Sequence, residues 1–586
     1  ERKTADRKDS GKEEQKMELN LGDKVVYQIY PKSFRDSDGD GIGDLRGVTE
    51  KLDYLEELGV DYLWLTPFFP SLQYDNGYDI TDYRGIDPMY GTMDDFDELV
   101  SEAGKRGISL MVDMVFNHCS TKHEWFQRAL QGDPYYRDFF IIKKGTKEGL
   151  PPTNWTSKFG GSAWGYLPRT DEYYLHLFHV SQADLNWENP NVRRELYDVV
   201  NFWIEKGVKG FRFDVINLIS KPAIYEDDLE GDGHRFYTDG ARIHEFLHEL
   251  NRETFGPHED IITVGEMASS DLPNSIRYSR REEQELSMIF DFHHLKIDYP
   301  SGNKWEVQPF RFHDLKKNLF EWQEGMEQGG GWNALFWDNH DQPRIVSRLG
   351  DEGSLRKQSA KMLATALHGL RGTPYIYQGE EIGMTNAGFT EIGQYRDIET
   401  LDVFQELRLK GKTSEQIYES LRKKSRDNAR TPMQWDSTKN GGFTSGTPWI
   451  SVNKNFREIN TEDREKPDSV FQYYRKLIEL RKQLPVLSRG RFEALLRDDA
   501  RILAYRRVLE ENGKTEIYVV CNFFREEAEL PAGLIPEGAR LLLGNYEADT
   551  KKPQEEELQT GGKGLCAAAA GKRLRPYECF IALAEG

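Results

Sequence analysis

Three carboxylates stand where short apolar runs of the sequence end, and acids in such places can act as nucleophiles or proton donors. Asp214 ends GFRFD, Glu266 ends ITVGE and Asp341 ends FWDNHD. Cleavage of a glycosidic bond requires two carboxyl groups of this kind, one ionised and one protonated. Each motif alone is more typical of a structural acid, so the prediction depends on the three occurring together.

The residues next to these acids suggest which acid is the nucleophile and which is the proton donor. Arg212 and Asp214 alternate with apolar residues in GFRFD, so they share one face of a strand. A guanidinium at that distance would hold Asp214 ionised and aimed, as a nucleophile requires. Glu266 follows the apolar run IITVG, and an apolar surrounding would keep it protonated as a proton donor.

Other polar residues also lie at predicted strand ends, where a sugar could meet them. His118 closes DMVFNH, His340 precedes Asp341, and DNGYD provides Asp75 and Tyr78. A carboxylate can bind paired hydroxyls and a tyrosine ring can stack on a sugar face. DNGYD is also typical of a plain turn, and a metal site at His340 is the competing interpretation, although one histidine among acids is weak evidence for it.

The segment DSDGDGIGD, residues 36–44, has a different chemistry. Its acids alternate with glycines, and clustered acids in a tight turn repel one another unless a cation neutralises them. We expect a structural Ca²⁺ or Mg²⁺ and no cofactor for catalysis, although an acidic solvated loop is the alternative. The residues of the predicted metal loop are Asp36, Asp38, Asp40, Ile42 and Asp44.

The elements that must position these side chains alternate between short apolar runs and amphipathic stretches. This alternation predicts a (β/α)8 barrel, in which chemistry collects at the carboxyl ends of the strands. A doubly wound sheet would also alternate, but no GxGxxG follows the first strand. The eight predicted strands cover residues 25–29, 62–65, 109–116, 210–214, 261–265, 288–292, 334–337 and 373–377.

The barrel sequence is interrupted and extended by other segments. A stretch rich in Trp, Tyr, Gly and Pro follows the third strand and predicts a small inserted domain, and alternating β-rich runs near the end predict an antiparallel β-sandwich. The predicted parts are a charged tail at 1–22, the barrel at 23–118 and 187–489, the insertion at 119–186 and the C-terminal domain at 490–586.

The composition of the 586 residues excludes several classes of protein. A formal net charge of -21 argues against a nucleic-acid partner, because phosphate backbones attract a basic face. No apolar run reaches the roughly 20 residues of a membrane span. Four scattered cysteines indicate neither a disulfide framework nor a zinc site. The first 20 residues have no apolar signal core, so we expect a cytoplasmic protein; the oligomeric state is not indicated.

Taken together, DMVFNH, QADLN, GFRFD, VGE and FWDNHD resemble the motifs of the α-amylase superfamily, glycoside hydrolase family 13, from about residue 23 to the end of the chain. The resemblance implies a retaining mechanism with Asp214 as nucleophile, Glu266 as general acid/base and Asp341 as the third acid that grips the distorted sugar. It also implies a set of sugar-binding residues. These are Asp75, Tyr78, His118, Arg212, His340 and, in SRDNAR, Arg430.

The substrate is indicated by departures from one branch of that family. DNGYD, GFRFDVIN and SRDNARTPMQWD resemble the exo-acting branch, whose members on neutral isomaltose-type sugars read QPDLN and FEHMDLD. This chain reads QADLN and FHHLKID, with His293 and Lys296 where those members carry acids. Two acids would repel a sugar phosphate, whereas these residues would attract it. Residues 236–251, FYTDGARIHEFLHELN, are likewise similar to enzymes that hydrolyse trehalose 6-phosphate.

We therefore expect a phosphorylated disaccharide as substrate, with α,α-trehalose 6-phosphate cleaved to glucose and glucose 6-phosphate. Two alternatives stay open. One keeps the chemistry but assigns a neutral substrate, as in an oligo-1,6-glucosidase or an α-glucosidase acting on isomalto-oligosaccharides or sucrose. The other is a catalytically inactive sugar-binding or scaffold relative, against which the complete set of three acids argues.

Overall fold

Eight short apolar segments form parallel strands that close into a ring. The computed structural model describes residues 19–511, 513–546 and 573–586. The strands are β1 (Val26–Ile29), β2 (Tyr62–Leu65), β3 (Ser109–Met114), β4 (Gly210–Phe213), β5 (Ile262–Glu266), β6 (Met288–Phe290), β7 (Ala334–Leu335) and β8 (Thr373–Tyr377). They are hydrogen-bonded in the order β6-β5-β4-β3-β2-β1-β8-β7, and one parallel bridge between Ile289 and Asn333 joins the two ends.

Helices cover the outside of the ring, so the strands are buried on both faces. Every residue of β1, β2, β4, β6 and β8 is buried, as expected of a parallel sheet between helices and a filled interior. The predicted (β/α)8 barrel is confirmed. The covering helices are Leu45–Glu50, Leu52–Leu58, Met93–Lys105, Pro190–Glu205, Ile243–Glu253, Leu272–Ser279, Phe312–Gly329, Ile345–Leu349, Arg356–His368 and Val470–Gln483.

Local sequence signals account for where these helices begin and end. Met93–Lys105 starts with a capping box, in which the Thr92 side chain accepts from the Asp95 N–H and the Asp95 carboxylate accepts from the Thr92 N–H. Leu45–Glu50 and Leu52–Leu58 are two separate helices, because the backbone of Lys51 leaves the helical region with φ -107° and ψ 8°.

The insertion after β3 covers the mouth of the barrel. Its core packs Trp155, Trp164 and Leu175 against Val215, the residue that follows Asp214. The inserted segment therefore lies directly over the end of β4. Its elements are the paired strands His118–Ser120 and Gln182–Asp184, the sheet of Ile142–Lys144, Glu172–Leu175 and Trp164–Leu167, and the helices Glu124–Leu130 and Pro134–Arg137.

A second excursion follows β8 and returns to the barrel mouth. It contains the helices Ile398–Leu409, Ser414–Lys424 and Asp427–Arg430. The Ser33 hydroxyl donates to the carbonyl of Arg430 at 2.6 Å, and the Trp449 N–H donates to the carbonyl of Gly41 at 3.0 Å. These bonds tie the excursion to the loop after β1.

The C-terminal part is antiparallel, as predicted. A five-stranded sheet follows the short helix Pro485–Arg489, and a two-stranded pair packs on one face of it, with Ala528 and Leu574 in the same apolar cluster as Ile502 and Val520. The sheet order is Arg491–Leu495, Ile502–Glu510, Lys514–Asn522, Cys579–Glu585 and Arg540–Gly544, and the pair is Ala528–Glu529 with Arg573–Leu574.

Two predictions about the start of the chain are limited by what the structure describes. Residues 1–18 of the expected charged tail, together with Cys566, lie outside the described residues. Residues 19–22 do not behave as a tail, because Thr373 donates to the carbonyl of Leu21 at 2.8 Å and Arg481 donates to that of Gly22 at 2.7 Å. In the part of the chain that the structure describes, no helix has the length and apolar character of a membrane span.

Candidate active site

One guanidinium in the wall of the barrel gathers three carboxylates. Arg212, in β4, donates through Nη1 to Asp113 at 2.5 Å and to Asp214 at 2.9 Å, and through Nη2 to Glu266. Asp113 lies in β3, Asp214 follows β4 and Glu266 ends β5. Neighbouring parallel strands bring their carboxyl ends to one rim of the barrel, so acids far apart in sequence meet here.

The charges of this cluster do not cancel, because one cation faces three acids. Burial raises the pKa of Asp113 to about 6, although Arg212 opposes the shift. Burial also raises the pKa of Asp214 well above its ordinary value, with Arg212 opposing and with Glu266 and Asp113 adding to the increase. One guanidinium therefore neutralises only part of the charge, and the protonated forms of Asp113 and Asp214 are favoured relative to free carboxyl groups.

One expectation about this cluster needs correction. Glu266 does not lie in an apolar surrounding, since it bonds Arg212 and its side chain is 18% exposed. The end of β5 lies beside β4, so this strand-end acid meets the guanidinium. Arg212 bonds Asp214 as expected and favours its ionised form, although burial and two adjacent acids oppose this effect.

His340 is held as a neutral imidazole by a chain of hydrogen bonds. Burial lowers the pKa of His340 to about 3. Tyr78 donates its only hydroxyl proton to Asp113 at 3.0 Å and lies 2.8 Å from His340 Nε2, so Nε2 carries the ring proton. Nδ1 then accepts from Gln28 at 2.8 Å. The hydroxyl of Tyr78 is thus bonded to Asp113 and His340, and its ring is buried.

Asp341 lies in a different electrostatic environment from the Arg212 cluster. Arg430 donates to its carboxylate at 2.6 Å and Arg426 lies 3.5 Å away. Burial would raise the pKa of Asp341, but His340, Arg426 and Arg430 lower it well below its ordinary value. Its side chain keeps 35% of its surface exposed, so an ionised carboxylate faces the cleft.

Asp75 and His118 are joined by a residue of QADLN. Gln182 Nε2 lies 3.1 Å from Asp75 Oδ2 and 3.1 Å from His118 Nε2. Arg426 reaches the other oxygen of Asp75 at 3.3 Å. Burial raises the pKa of Asp75 to about 6, with Arg426 opposing, and burial lowers the pKa of His118 to about 4. Since Arg426 also approaches Asp341, these residues and the Arg212 cluster line one cleft.

The structure therefore brings together most of the residues singled out in the sequence. Those that meet in the cleft are Asp75, Tyr78, His118, Arg212, Asp214, Glu266, His340, Asp341 and Arg430. Three further residues were missed. Asp113 begins DMVFNH two residues after the apolar Met111 and could have been found as an inward-facing acid, and Arg426 stands four residues before Arg430 in SRDNAR. Asp397, which bonds both arginines, has no comparable signal.

The two residues expected to hold a phosphate lie in different places. Lys296 donates to Ser269 at 3.3 Å, three residues after Glu266, so it borders the cleft. His293 does not join it, because its ring stacks on Trp322 of the helix Phe312–Gly329 at 4.8 Å and pairs with Asp291 at 3.2 Å. The imidazole is drawn to an aromatic partner in the helix layer, and this corrects its expected position.

A second cation borders the same part of the cleft from the insertion. The pKa of Lys158 is lowered by desolvation, opposed by Asp232, and lowered further by the ammonium of Lys296. Lys158 is flanked by Phe159, whose ring lies 5.3 Å from the Arg426 guanidinium. The two ammonium groups repel each other, and an anion bound between them would offset this repulsion.

The acidic loop after β1 gathers three of its predicted ligands. Carboxylate oxygens of Asp36, Asp38 and Asp40 lie within 4.8 Å of one another, and an all-oxygen set suits a hard cation. Asp44 is not gathered with them. Its carboxylate accepts from the Ser37 N–H at 2.8 Å and caps the helix Leu45–Glu50 through the Gly47 N–H at 2.7 Å.

Comparison with known proteins finds similarity along nearly the whole chain. The family described as "Alpha amylase, catalytic domain" matches residues 28–490. The trehalose-6-phosphate hydrolase of Bacillus subtilis (strain 168) is 54% identical over 563 residues, 95% of this chain and 97% of the relative. The oligo-1,6-glucosidase of Parageobacillus thermoglucosidasius is 49% identical over 568 residues, 95% and 97% of the two chains.

A solved structure is equally close. The crystal structure of Bacillus licheniformis trehalose-6-phosphate hydrolase is 52% identical, with a TM-score of 0.89. The match covers 97% of this chain and 100% of the crystallised one. The similarity thus extends over the barrel, the insertion and the C-terminal domain.

Proposed function

The chain belongs to the α-amylase family, glycoside hydrolase family 13, as its motifs predicted, and on that premise we propose that it hydrolyses α,α-trehalose 6-phosphate to glucose and glucose 6-phosphate. The family assignment makes it a glycoside hydrolase. The choice of substrate is supported by relatives of that name at 54% identity and by the lysines at the cleft mouth.

The observation that carries the chemistry is the shared guanidinium of Arg212. Asp214 and Glu266 bond its two terminal nitrogens, so their carboxyl groups lie close together. Retaining glycosidases need a separation of about 5–5.5 Å, whereas inverting ones need room for a water between the acids. We assign Asp214 as the nucleophile that attacks the anomeric carbon, while Glu266 protonates the departing glycosidic oxygen.

The second half of the reaction reverses these roles. Glu266, now ionised, accepts a proton from water, and the resulting hydroxide displaces Asp214 from the anomeric carbon. Before the first step, Glu266 must carry the proton that it donates and Asp214 must be ionised. The unphosphorylated ring would be held by Asp75, His118, His340 and Asp341, where one ionised acid and neutral imidazoles face its hydroxyls.

The phosphate would lie on the leaving sugar, at the cleft mouth. Lys296, from the loop after β6, and Lys158, from the insertion, offer two ammonium groups in an otherwise acidic protein. A lysine is an effective point charge for phosphate. His293 is assigned no contact with the phosphate, because its ring packs on Trp322.

Charge reversal tests the substrate directly. Lys296→Glu and Lys158→Glu should each lower kcat/KM for trehalose 6-phosphate by roughly tenfold or more, and should change kcat/KM for isomaltose far less. Lys317→Glu is the matched control, because Lys317 is an exposed lysine on the helix Phe312–Gly329. Equal losses on both sugars would contradict the phosphate assignment while leaving the glycosidase chemistry in place.

An oligo-1,6-glucosidase acting on isomaltose or sucrose is the second candidate, supported by relatives of that name at 49% identity. Parallel rates on trehalose 6-phosphate, isomaltose and sucrose decide between the two. Turnover of an aryl α-glucoside would exclude an inactive scaffold.

We also propose that Asp36, Asp38 and Asp40 bind Ca²⁺ or Mg²⁺ with a structural role, with the carbonyl of Ile42 as a further oxygen. The cation would supply neutralising charge, not catalysis. The expectations of a cytoplasmic location and of no nucleic-acid partner stay predictions.

A further inference from the structure

Two buried acids lie directly behind the loop that carries His340 and Asp341. Asp338 begins that loop after β7, and Glu380 lies in the turn that follows β8. Their residues are only 2% and 3% exposed, so neither carboxyl group is solvated by bulk water. Neither acid has a role in the proposed reaction.

Each of these carboxyl groups has one satisfied oxygen and one without a partner. Asp338 Oδ2 accepts from the Ile345 N–H at 2.9 Å, and Glu380 Oε1 accepts from the Tyr474 hydroxyl at 2.6 Å. Asp338 Oδ1 and Glu380 Oε2 are buried without a hydrogen-bond partner among the described residues. A buried carboxylate oxygen in that state is costly, so it requires an explanation.

The terminal nitrogens of the neighbouring arginines are committed elsewhere, and Arg344 Nε, which is buried without a partner among the described residues, bonds neither acid. Arg344 donates to the carbonyls of Gln378 at 2.5 Å and Ala429 at 3.1 Å, and Arg348 donates to Asp298. The neighbouring acid Glu381 accepts from Tyr27, Tyr54 and the Gly379 N–H, and His368, against Tyr474, is neutral because burial lowers its pKa to about 3. The side chains of Asp338 and Glu380 are within hydrogen-bonding reach of each other. Two carboxylates can satisfy each other's free oxygens only through a proton.

We propose that Asp338 and Glu380 share one proton and that this pair positions the loop bearing His340 and Asp341. Glu380 Oε2 carries the proton and donates it to Asp338 Oδ1. Burial raises the pKa of Asp338, but the hydrogen bond with Glu380 and the charges of Arg344 and Arg348 oppose this increase. Burial and the charge of Asp338 raise the pKa of Glu380 well above its ordinary value. Both acids are positioning residues, not catalytic ones.

The pair acts on the site through the backbone. Asp338 Oδ2 holds the N–H of Ile345 at the far end of the loop, and Arg344 ties that end to Ala429, next to Arg430. His340 and Asp341 lie between these two anchors. Loss of the shared proton would set two carboxylates against each other beneath the loop.

The first test uses amide substitutions that mimic a protonated acid. In Glu380→Gln the amide can accept from Tyr474 and donate to Asp338, and in Asp338→Asn it can accept from Ile345 and donate to Glu380. Each single variant should therefore keep a Tm close to wild type. The double variant sets two amide N–H groups against each other, so its Tm should fall well below the sum of the single effects. Additive effects would overturn the shared proton.

The second test uses pH. The folded pair binds a proton that the unfolded chain releases above about pH 4, so the free energy of unfolding of the wild type falls as pH rises. Glu380→Gln removes this dependence. The Tm of this variant relative to that of the wild type should therefore rise from about pH 5 to about pH 8. A difference that does not change with pH would contradict the proposal.

Glu381→Gln is the matched control, because Glu381 already accepts three donors and an amide would place an N–H against one of them. It should lower the Tm at every pH, unlike Glu380→Gln. The activity readout rests on the proposed function: Glu380→Leu should lower kcat on an aryl α-glucoside and Glu380→Gln should restore it. The Tm readouts need no substrate, so they can fail independently of the proposed function.

Discussion

At the scale of single residues, Arg212 holds together the acids at the ends of three strands. It bonds Asp113, Asp214 and Glu266 at once and leaves an excess of negative charge in a buried place. The guanidinium thereby keeps the carboxyl groups at fixed positions next to the bond that is to be cleaved.

Replacing Asp214 by Asn should abolish turnover and leave the fold intact. The amide keeps the size of the side chain and can still accept from Arg212, but it cannot form the glycosyl ester, so kcat should fall at least about a thousandfold. The measurement is kcat on an aryl α-glucoside, with the Tm as a check of folding. A variant that keeps most of its rate would exclude Asp214 as the nucleophile.

Replacing Asp113 by Asn should move the acidic limb of the rate profile. Asp113 is one of the charges that raise the pKa of Asp214, so removing it should lower that pKa. The nucleophile then stays ionised at lower pH, and the acidic limb of kcat/KM should shift down by roughly one pH unit. An unchanged limb, or one displaced to higher pH, would show that Asp113 does not share the titration.

At the scale of elements, the excursion after β8 supplies the arginines that face Asp341. Asp397 caps the helix Ile398–Leu409 through the Thr400 N–H at 3.0 Å and also bonds Arg426 at 2.5 Å and Arg430 at 3.3 Å. One buried carboxylate therefore joins a helix start to the sugar site.

Asp397→Asn should weaken both of these connections. An amide can serve the helix cap or the arginines with its oxygen, but not both, so we expect a loss of about 3 kcal/mol in the free energy of unfolding and a higher KM. Asp402→Asn, an exposed position on the same helix, is the control and should change neither. Denaturant unfolding and steady-state kinetics measure the two effects, and an unchanged KM would separate Asp397 from the site.

The acidic loop after β1 offers a prediction on metal removal. If Asp36, Asp38 and Asp40 hold a cation, a chelator should lower the free energy of unfolding by about 2–3 kcal/mol without changing the pH profile of the rate. The double variant Asp38→Asn/Asp40→Asn should lose the response to the chelator. A wild-type Tm that does not respond would leave the loop as a solvated turn, in which the carboxylates of Asp38 and Asp40 accept from the N–H groups of Asp40 and Ile42.

The sequence allowed much of this architecture to be predicted because it depends on local periodicity. The alternation in GFRFD places Arg212 and Asp214 on one face, and strand-end acids converge in any parallel barrel. The position of His293 could not be predicted, since it depends on Trp322, which a distant helix brings to the ring. The polar surrounding of Glu266 likewise depends on the neighbouring strand, not on its own segment.

At the scale of the whole molecule, buried histidines make the fold sensitive to acid. His368 lies between the barrel and the C-terminal sheet, both of its ring nitrogens are buried without a partner among the described residues, and burial lowers its pKa to about 3. Between that value and the ordinary 6.5, the unfolded chain binds the proton and the folded one does not. The free energy of unfolding therefore falls as pH is lowered through this window.

His368→Phe should remove this contribution. The Tm of the variant relative to wild type should rise as the pH falls from about 6.5 to about 4.5, because the aromatic ring no longer gains a proton on unfolding. Thermal unfolding across that range measures the difference. A constant difference would mean that folding does not lower the pKa of His368.

The ring of strands has one weak seam. β6 and β7 meet through a single bridge, from Ile289 to Asn333, and β7 has only two residues, whereas β2 and β3 pair along four. The main-chain amides of β6 and β7 should exchange with deuterium sooner than those of β2 and β3, because local opening of the barrel should begin between β6 and β7. Since β7 leads into Asp341, thermal opening of the seam would weaken the binding of a sugar at a temperature below that at which the rest of the enzyme unfolds.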